Sequence, residues 1–209
     1  VSDPQGHTDI LERLFQNPDF YALYVNRYAD LNNSYFTCDY MINLLDSMIA
    51  VITPEMPRQI ARWGGNVPQW QNNVTTLRNF ILTRCTVVDQ GIADCFTVDG
   101  PYEIVIIINN PAGGYVTING NIVVSGSTWT GTYFGGVPIT FSATPTGGYQ
   151  FINWTMGNNT PTPNSTNPNI SIDLIAGDTI YVNFGTPTVT LTTQIQNAGM
   201  GTISVNGVT

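Results

Sequence analysis

Lysine is absent from all 209 residues, and the only basic side chains besides one histidine are six arginines: Arg13, Arg27, Arg58, Arg62, Arg78 and Arg84. After Arg84 no basic side chain follows. Binding a nucleic-acid backbone needs a Lys/Arg surface that neutralises phosphates, so nucleic acid and acidic membranes are poor candidate partners. Charge of either sign is scarce. Only 10% of residues are charged, and 14 acids against 6 bases leave a net charge of −8. The single histidine, His7, stands before a helix start in a polar segment, where a solvated or capping role is expected. Triads of the Ser/His/Asp or Cys/His type all depend on it, and a metal site from His7, Asp3 and Asp9 is weak for the same reason. No run reaches the roughly 18 apolar residues of a membrane span. Val1 opens on neither the basic nor the apolar region of a signal peptide, so any export signal is expected to have been removed or left out.

Cysteine is sparse and odd in number. Cys38, Cys85 and Cys95 leave at least one thiol unpaired, and none forms a CxxC pair for zinc or redox chemistry. On one continuous helix Cys85 and Cys95 would lie about 15 Å apart, too far for a disulfide. They pair only if the helix breaks near Gly91. All three are expected to be small buried apolar side chains.

What is present falls into two halves. Up to about Phe96 the pattern is helical, with start signals at Thr8, before Asp9 and Glu12, and at Asn17, before Pro18 and Asp19. Core-facing stripes are expected from Phe20, Leu23, Tyr24, Tyr28 and Leu31, and then from Met41, Leu44, Leu45, Met48, Ile49 and Ile52. A long last helix repeats Trp70, Val74, Leu77, Ile81, Cys85, Val88, Ile92 and Phe96 at helical spacing. Asp30, Asp39 and Asp46 sit within these helices, where solvated or capping roles are expected.

From about Asp99 the pattern changes to β-branched and aromatic runs bounded by Gly, Pro and Asn. Residues 102–109, 115–119, 137–144, 149–155, 170–174 and 179–184 read as strands, with turns at 109–114, Asn119-Gly120 and Gly147-Gly148. The polar stretch 158–169 reads as a long loop without core residues, open to disorder or nicking. Val116-Thr117-Ile118-Asn119-Gly120 recurs as Ile203-Ser204-Val205-Asn206-Gly207, so a second module is expected to begin near Thr186.

The expected fold class is therefore α + β and multidomain. An all-α helical segment occupies residues 1–98, an all-β module (a small sandwich or a β-grasp-like sheet) residues 99–185, and the truncated start of a second β-repeat residues 186–209.

The helical half resembles the C-terminal part of the CotH-like (spore coat protein H) atypical kinase family. The resemblance is carried by Asn17-Pro18-Asp19-Phe20, Arg27-Tyr28-Ala29-Asp30-Leu31-Asn32, Glu55-Met56-Pro57-Arg58, Arg62-Trp63-Gly64, Trp70 and Leu77-Arg78-Asn79-Phe80. Cys85 stands after Arg84, where the family would favour proline. The β half looks like the divergent internalin-B-type bacterial repeat, through Trp129 to Phe134, Ala143-Thr144-Pro145 and Gly148-Tyr149-Gln150-Phe151-Ile152-Asn153-Trp154. Such repeats decorate secreted proteins, including those of Bacteroidetes.

These resemblances imply a kinase-like parent, with ATP and Mg²⁺ belonging to an upstream body that would be a partner of this chain along with further β-repeats. A kinase needs a cation on the nucleotide phosphates and carboxylates on Mg²⁺. With no lysine and no glycine-rich phosphate loop, the expectation here is no catalysis, no cofactor and no metal, and an extracellular or cell-surface protein whose β modules act as spacers or attachment units. The alternative is an adhesin-type module that binds a surface polysaccharide or a protein. Two sets of interaction residues are candidates. Glu55, Arg58 and Arg62 lie one helical turn apart and suit an ion-pair ladder, either fastening their helix to the domain or facing the kinase body. Trp129 and Tyr133, with Trp154, suit either core packing, the expected role, or a sugar-stacking platform.

Overall fold

The computed structural model describes Gly6 and residues 8–187. His7 and the repeat at residues 203–207 lie outside the described residues.

Five helices come first: α1 (Asp9–Leu14), α2 (Pro18–Asn32), α3 (Cys38–Ile52), α4 (Met56–Trp63) and α5 (Val67–Cys95), with a 3-10 turn at Thr53–Glu55 before α4. Their starts follow from side chains that satisfy unpaired N–H groups. The Asn17 carbonyl oxygen accepts from the Asp19 and Phe20 amides at 2.9 and 3.2 Å, and Pro18 supplies a first residue with no N–H to satisfy. Thr37 and Asn66 cap α3 and α5 in the same way. At Thr8, however, the hydroxyl donates to Glu12 instead of capping a backbone amide. Gly64, at φ 85°, ends α4 in the left-handed region that only glycine enters cheaply.

The expected stripes need correction. Helix α2 buries Val25, Asn26, Ala29 and Asp30, whereas Leu23 is 64% exposed. Of the α3 stripe only Leu45 is buried, and Leu44, Met48 and Ile52 are exposed. The long α5 stripe holds at Ile81 and Ile92 but leaves Leu77 exposed. The reason is thickness: the helices form one layer, and much of its outer apolar side meets no other described element.

Among the described residues eight strands follow: β1 (Asp99–Ile108), β2 (Gly114–Ile118), β3 (Ile122–Val124), β4 (Thr128–Gly135), β5 (Ile139–Pro145), β6 (Gln150–Thr155), β7 (Asn169–Ile172) and β8 (Asp178–Gly185). They form two four-stranded sheets, β4-β1-β8-β6 and β3-β2-β5-β7. All neighbours are antiparallel except β1 and β8, which run parallel with Ile104 opposite Asp178 and Ile108 opposite Val182. The two sheets enclose one core, so of the two expected β architectures this is the sandwich. Alternation sets the faces: Ile104, Ile106, Ile108, Ile180, Val182 and Phe184 point inward, while Glu103, Tyr181 and Asn183 do not. Strands β3 and β4 were not among the expected elements. In β4, glycine at 131 and 135 lowers the β signal over Thr128–Gly135.

The 158–169 segment corrects another expectation. It is tied into the sandwich: Thr162 pairs with Ser171, the Trp154 indole N–H donates to the Asn167 carbonyl at 2.9 Å, and Asn159 is buried. Its order comes from Asp178, whose carboxylate accepts from the amides of Gly157, Asn158 and Asn159 at 2.8–3.0 Å and from the Asn159 side chain. Partial burial alone would raise the Asp178 carboxylate. The donors outweigh it and hold it below the ordinary value. A depressed carboxylate contributes stability above the unfolded pKa, and that stability is lost as pH falls through the folded one. Hydrogen-exchange protection of the Gly157, Asn158 and Asn159 amides should therefore persist at neutral pH and fall away below about pH 4. Protection unchanged to about pH 2 would rule this account out.

The cysteines also differ from expectation. Cys38, at the start of α3, is bonded to Cys85 in α5 with Cα atoms 5.6 Å apart, so neither is a bare apolar filler. Helix α5 runs unbroken through Gly91, which keeps Cys95 from Cys85 and leaves it exposed as a free thiol.

Candidate functional site at the helix–sandwich junction

The helices and the sandwich share one apolar cluster in which Val25, Ala29 and Ile92 pack with the inward residues of both sheets. Helix α2 lies on β4 and places Asn26, Asp30 and Asn33 along one stripe facing the sandwich. Each of these polar residues meets a polar group of the β half. The Asn33 carboxamide donates to the Thr132 carbonyl at 2.7 Å and accepts from the Thr132 amide at 2.8 Å, extending the hydrogen bonding of β4 by a side chain. Asn26 donates to the Pro138 carbonyl at 2.9 Å, while its own oxygen is buried without a partner.

Asp30 is the centre of the junction and is fully buried. The Tyr133 hydroxyl donates to Oδ1 at 2.6 Å, the Asn119 amide to Oδ1 at 3.0 Å and the Asn121 amide to Oδ2 at 2.7 Å. Three neutral donors thus replace water around one enclosed carboxylate. The turn that delivers two of them needs unusual backbone: Asn119 and Gly120 lie at φ 50° and 71°, in the left-handed region tolerated by these two residue types. The Asn119 oxygen accepts from the Thr140 amide at 3.0 Å, which fixes the carboxamide with its nitrogen toward Asp30. Burial, reinforced by the Asp30 charge and its hydrogen bond, pushes the Tyr133 phenol well above the ordinary tyrosine value, so it stays a donor. A cleft of about 190 Å³ opens beside this network, between Leu23, Arg27, Pro138 and Thr140.

Residues 1–88 match the family model described as CotH kinase protein. Over that stretch the chain is similar to the CotH kinase family. The matched region ends within α5, so it takes in Asp30 and most of the helical layer but none of the strands. No curated protein and no solved structure matches the chain.

The expected solvated or capping role is overturned for Asp30, whereas Asp46 is exposed as expected. Asp30 is enclosed as described, and Asp46 of α3 pairs with Arg78 of α5. Nothing in the spacing of one aspartate in a helical run announces burial. The available signal was the Asn-Gly turn, a donor pair with no assigned purpose. Tyr133 joins the junction, Trp154 is enclosed within the sandwich, and Trp129 is half-buried with its ring laid over Gly131, where any Cβ would collide with it. Glu55 and Arg58 approach to 3.9 Å, both highly exposed, within one local segment. Arg62 instead stacks on Trp63, 5.2 Å from the ring centre, so the group forms no ladder to another element. With Gln59 these residues line a shallow surface hollow. Among the described residues no group of three or more His, Cys, Asp or Glu side chains is placed to hold a metal ion, and no helix is long and apolar enough to cross a membrane.

Proposed function

We propose that this chain is a non-catalytic part of a CotH-like protein, in which the helical layer is a scaffold that fixes a kinase-like body to a β-sandwich spacer or attachment unit. The observation that carries this reading is the Asp30 junction. A spacer on a flexible linker needs no buried carboxylate shared between its halves, whereas a rigid bracket needs a contact of that specificity. The outer side of the helical layer supports the same reading, since Met48, Val51, Trp63 and Phe80 are more than half exposed within the stretch that matches the family. We assign the kinase-like chemistry elsewhere in the parent, because this chain offers no lysine for nucleotide phosphates, and Arg58 and Arg62, which line a shallow hollow with Glu55, stand open to solvent.

An extracellular or cell-surface setting is part of the proposal. It rests on the Cys38–Cys85 bond, which belongs to oxidising compartments, and on a lysine-free surface dominated by Thr, Asn, Ser and Gly. Calorimetric titration of the chain with Mg-ATP tests the non-catalytic part. We expect no binding heat up to millimolar nucleotide. Saturable binding at micromolar nucleotide would overturn the reading.

A further inference from the structure

The outer face of the β4-β1-β8-β6 sheet carries a cleft that the scaffold role does not use. It has a volume of about 450 Å³, within the range of small-molecule sites, and lies between β1, β8 and the loop after β6. Its walls differ in chemistry. Tyr181 of β8 is 43% exposed, and because Ile180 and Val182 on either side point into the core, its ring stands on the outer face. Glu103 of β1 is exposed and its carboxylate makes no hydrogen bond or ion pair among the described residues. Thr179 adds a hydroxyl, Val105 an apolar floor, and Asn158 a carboxamide whose nitrogen is committed to the Gly177 carbonyl at 2.7 Å, leaving its oxygen as an acceptor. The wall is preorganised, because Asp178 ties Gly157 and Asn158 in place through their backbone amides.

We propose that this cleft is a binding site for one ring of a neutral polysaccharide, with Tyr181 stacking on the sugar face and Glu103 and Asn158 accepting from its hydroxyls. The site holds chiefly acceptors beside one aromatic face, so it calls for a ligand rich in O–H donors. Anionic glycans are disfavoured, since no lysine or arginine follows Arg84 and the cleft brings a free carboxylate. A metal ion is disfavoured because the Asp178 oxygens already accept five N–H donors, leaving one carboxylate where a hard cation needs several. A basic peptide would gain one exposed ion pair, which contributes little, whereas stacking and several hydrogen bonds act together on a sugar. This site is independent of the scaffold reading and of Trp129 and Tyr133.

The test is affinity electrophoresis of the full chain through gels containing dextran, mannan, xylan or mixed-linkage β-glucan, with heparin and a poly-arginine peptide as charged comparisons. Retardation by at least one neutral polysaccharide is expected. Tyr181→Ala and Glu103→Ala should each weaken it about tenfold, the scale of losing one stacking contact or one hydrogen bond to a charged group. Both residues are exposed, so the melting temperature should stay unchanged, which separates lost binding from lost folding. No retardation in any neutral gel overturns the proposal, as does retardation indifferent to both substitutions. Binding confined to poly-arginine or heparin also overturns it.

Discussion

Asp30→Ala should destabilise the chain by about 3 kcal/mol, because the buried Tyr133 hydroxyl and the half-buried Asn119 amide lose their acceptor at once, while the exposed Asn121 can turn to water. For a chain of this size that is a fall of roughly 10 °C in melting temperature. The donors belong to Asn119, Asn121 and Tyr133, all on the sandwich, while Asp30 belongs to α2. The substitution therefore acts on the junction between the halves and not on either half alone. Helical and aromatic circular-dichroism signals of the unaltered chain should melt together, and in the variant they should separate. A double-mutant cycle with Tyr133→Phe should show a coupling of about 1.5–3 kcal/mol, the range for a hydrogen bond to a charged group. A variant that melts within a degree of the unaltered chain would remove the junction as the basis of the rigid scaffold.

Trp154→Ala should cost a comparable 3–5 kcal/mol, roughly the penalty for deleting a large enclosed aromatic. Trp154 is 1% exposed, sits 5.4 Å from the Phe151 ring and 6.2 Å from the Phe141 ring of the opposite sheet, and so bridges the two layers. It also anchors the 158–169 segment through the Asn167 carbonyl. Trp154→Phe separates these contributions: most of the packing remains and the indole hydrogen bond is lost, so the cost should fall to about 1–2 kcal/mol. Limited proteolysis should then cut within 158–169 sooner than in the unaltered chain. If cutting there is unchanged while stability falls, the loop does not depend on the indole.

The path from sequence to structure was clearest where one local rule decides the outcome. Asn17-Pro18 caps a helix by itself, Asn119-Gly120 makes a turn by itself, and the alternating isoleucines of β1 choose their faces from the period of a strand. Such local rules named six of the eight strands among the described residues. They missed β4 because glycine there answers to its surroundings: Gly131 is small to admit the Trp129 ring and the Asn33 side chain. The same limit explains α2. Counting apolar residues chose the face of Leu23 and Leu31, yet Asn26, Ala29 and Asp30 are buried, because small and polar side chains suit the close approach of β4 and offer partners to its polar groups.

By itself the sequence determined the order of helices before strands, the change near Asp99, and the absence of lysine that removes phosphate-binding surfaces from the β half. Those properties depend on residues close in the chain or on composition, and both are visible without a fold. The tertiary structure alone decided that Cys85 pairs with Cys38 and not with Cys95, that Asp30 is a buried acceptor, and that Tyr181 and Glu103 share an open cleft. Each of these brings together groups distant in sequence. Whether a carboxylate is solvated, capped or enclosed is set by what packs against it, and α2 meets Tyr133 only after some hundred intervening residues have folded into the sandwich.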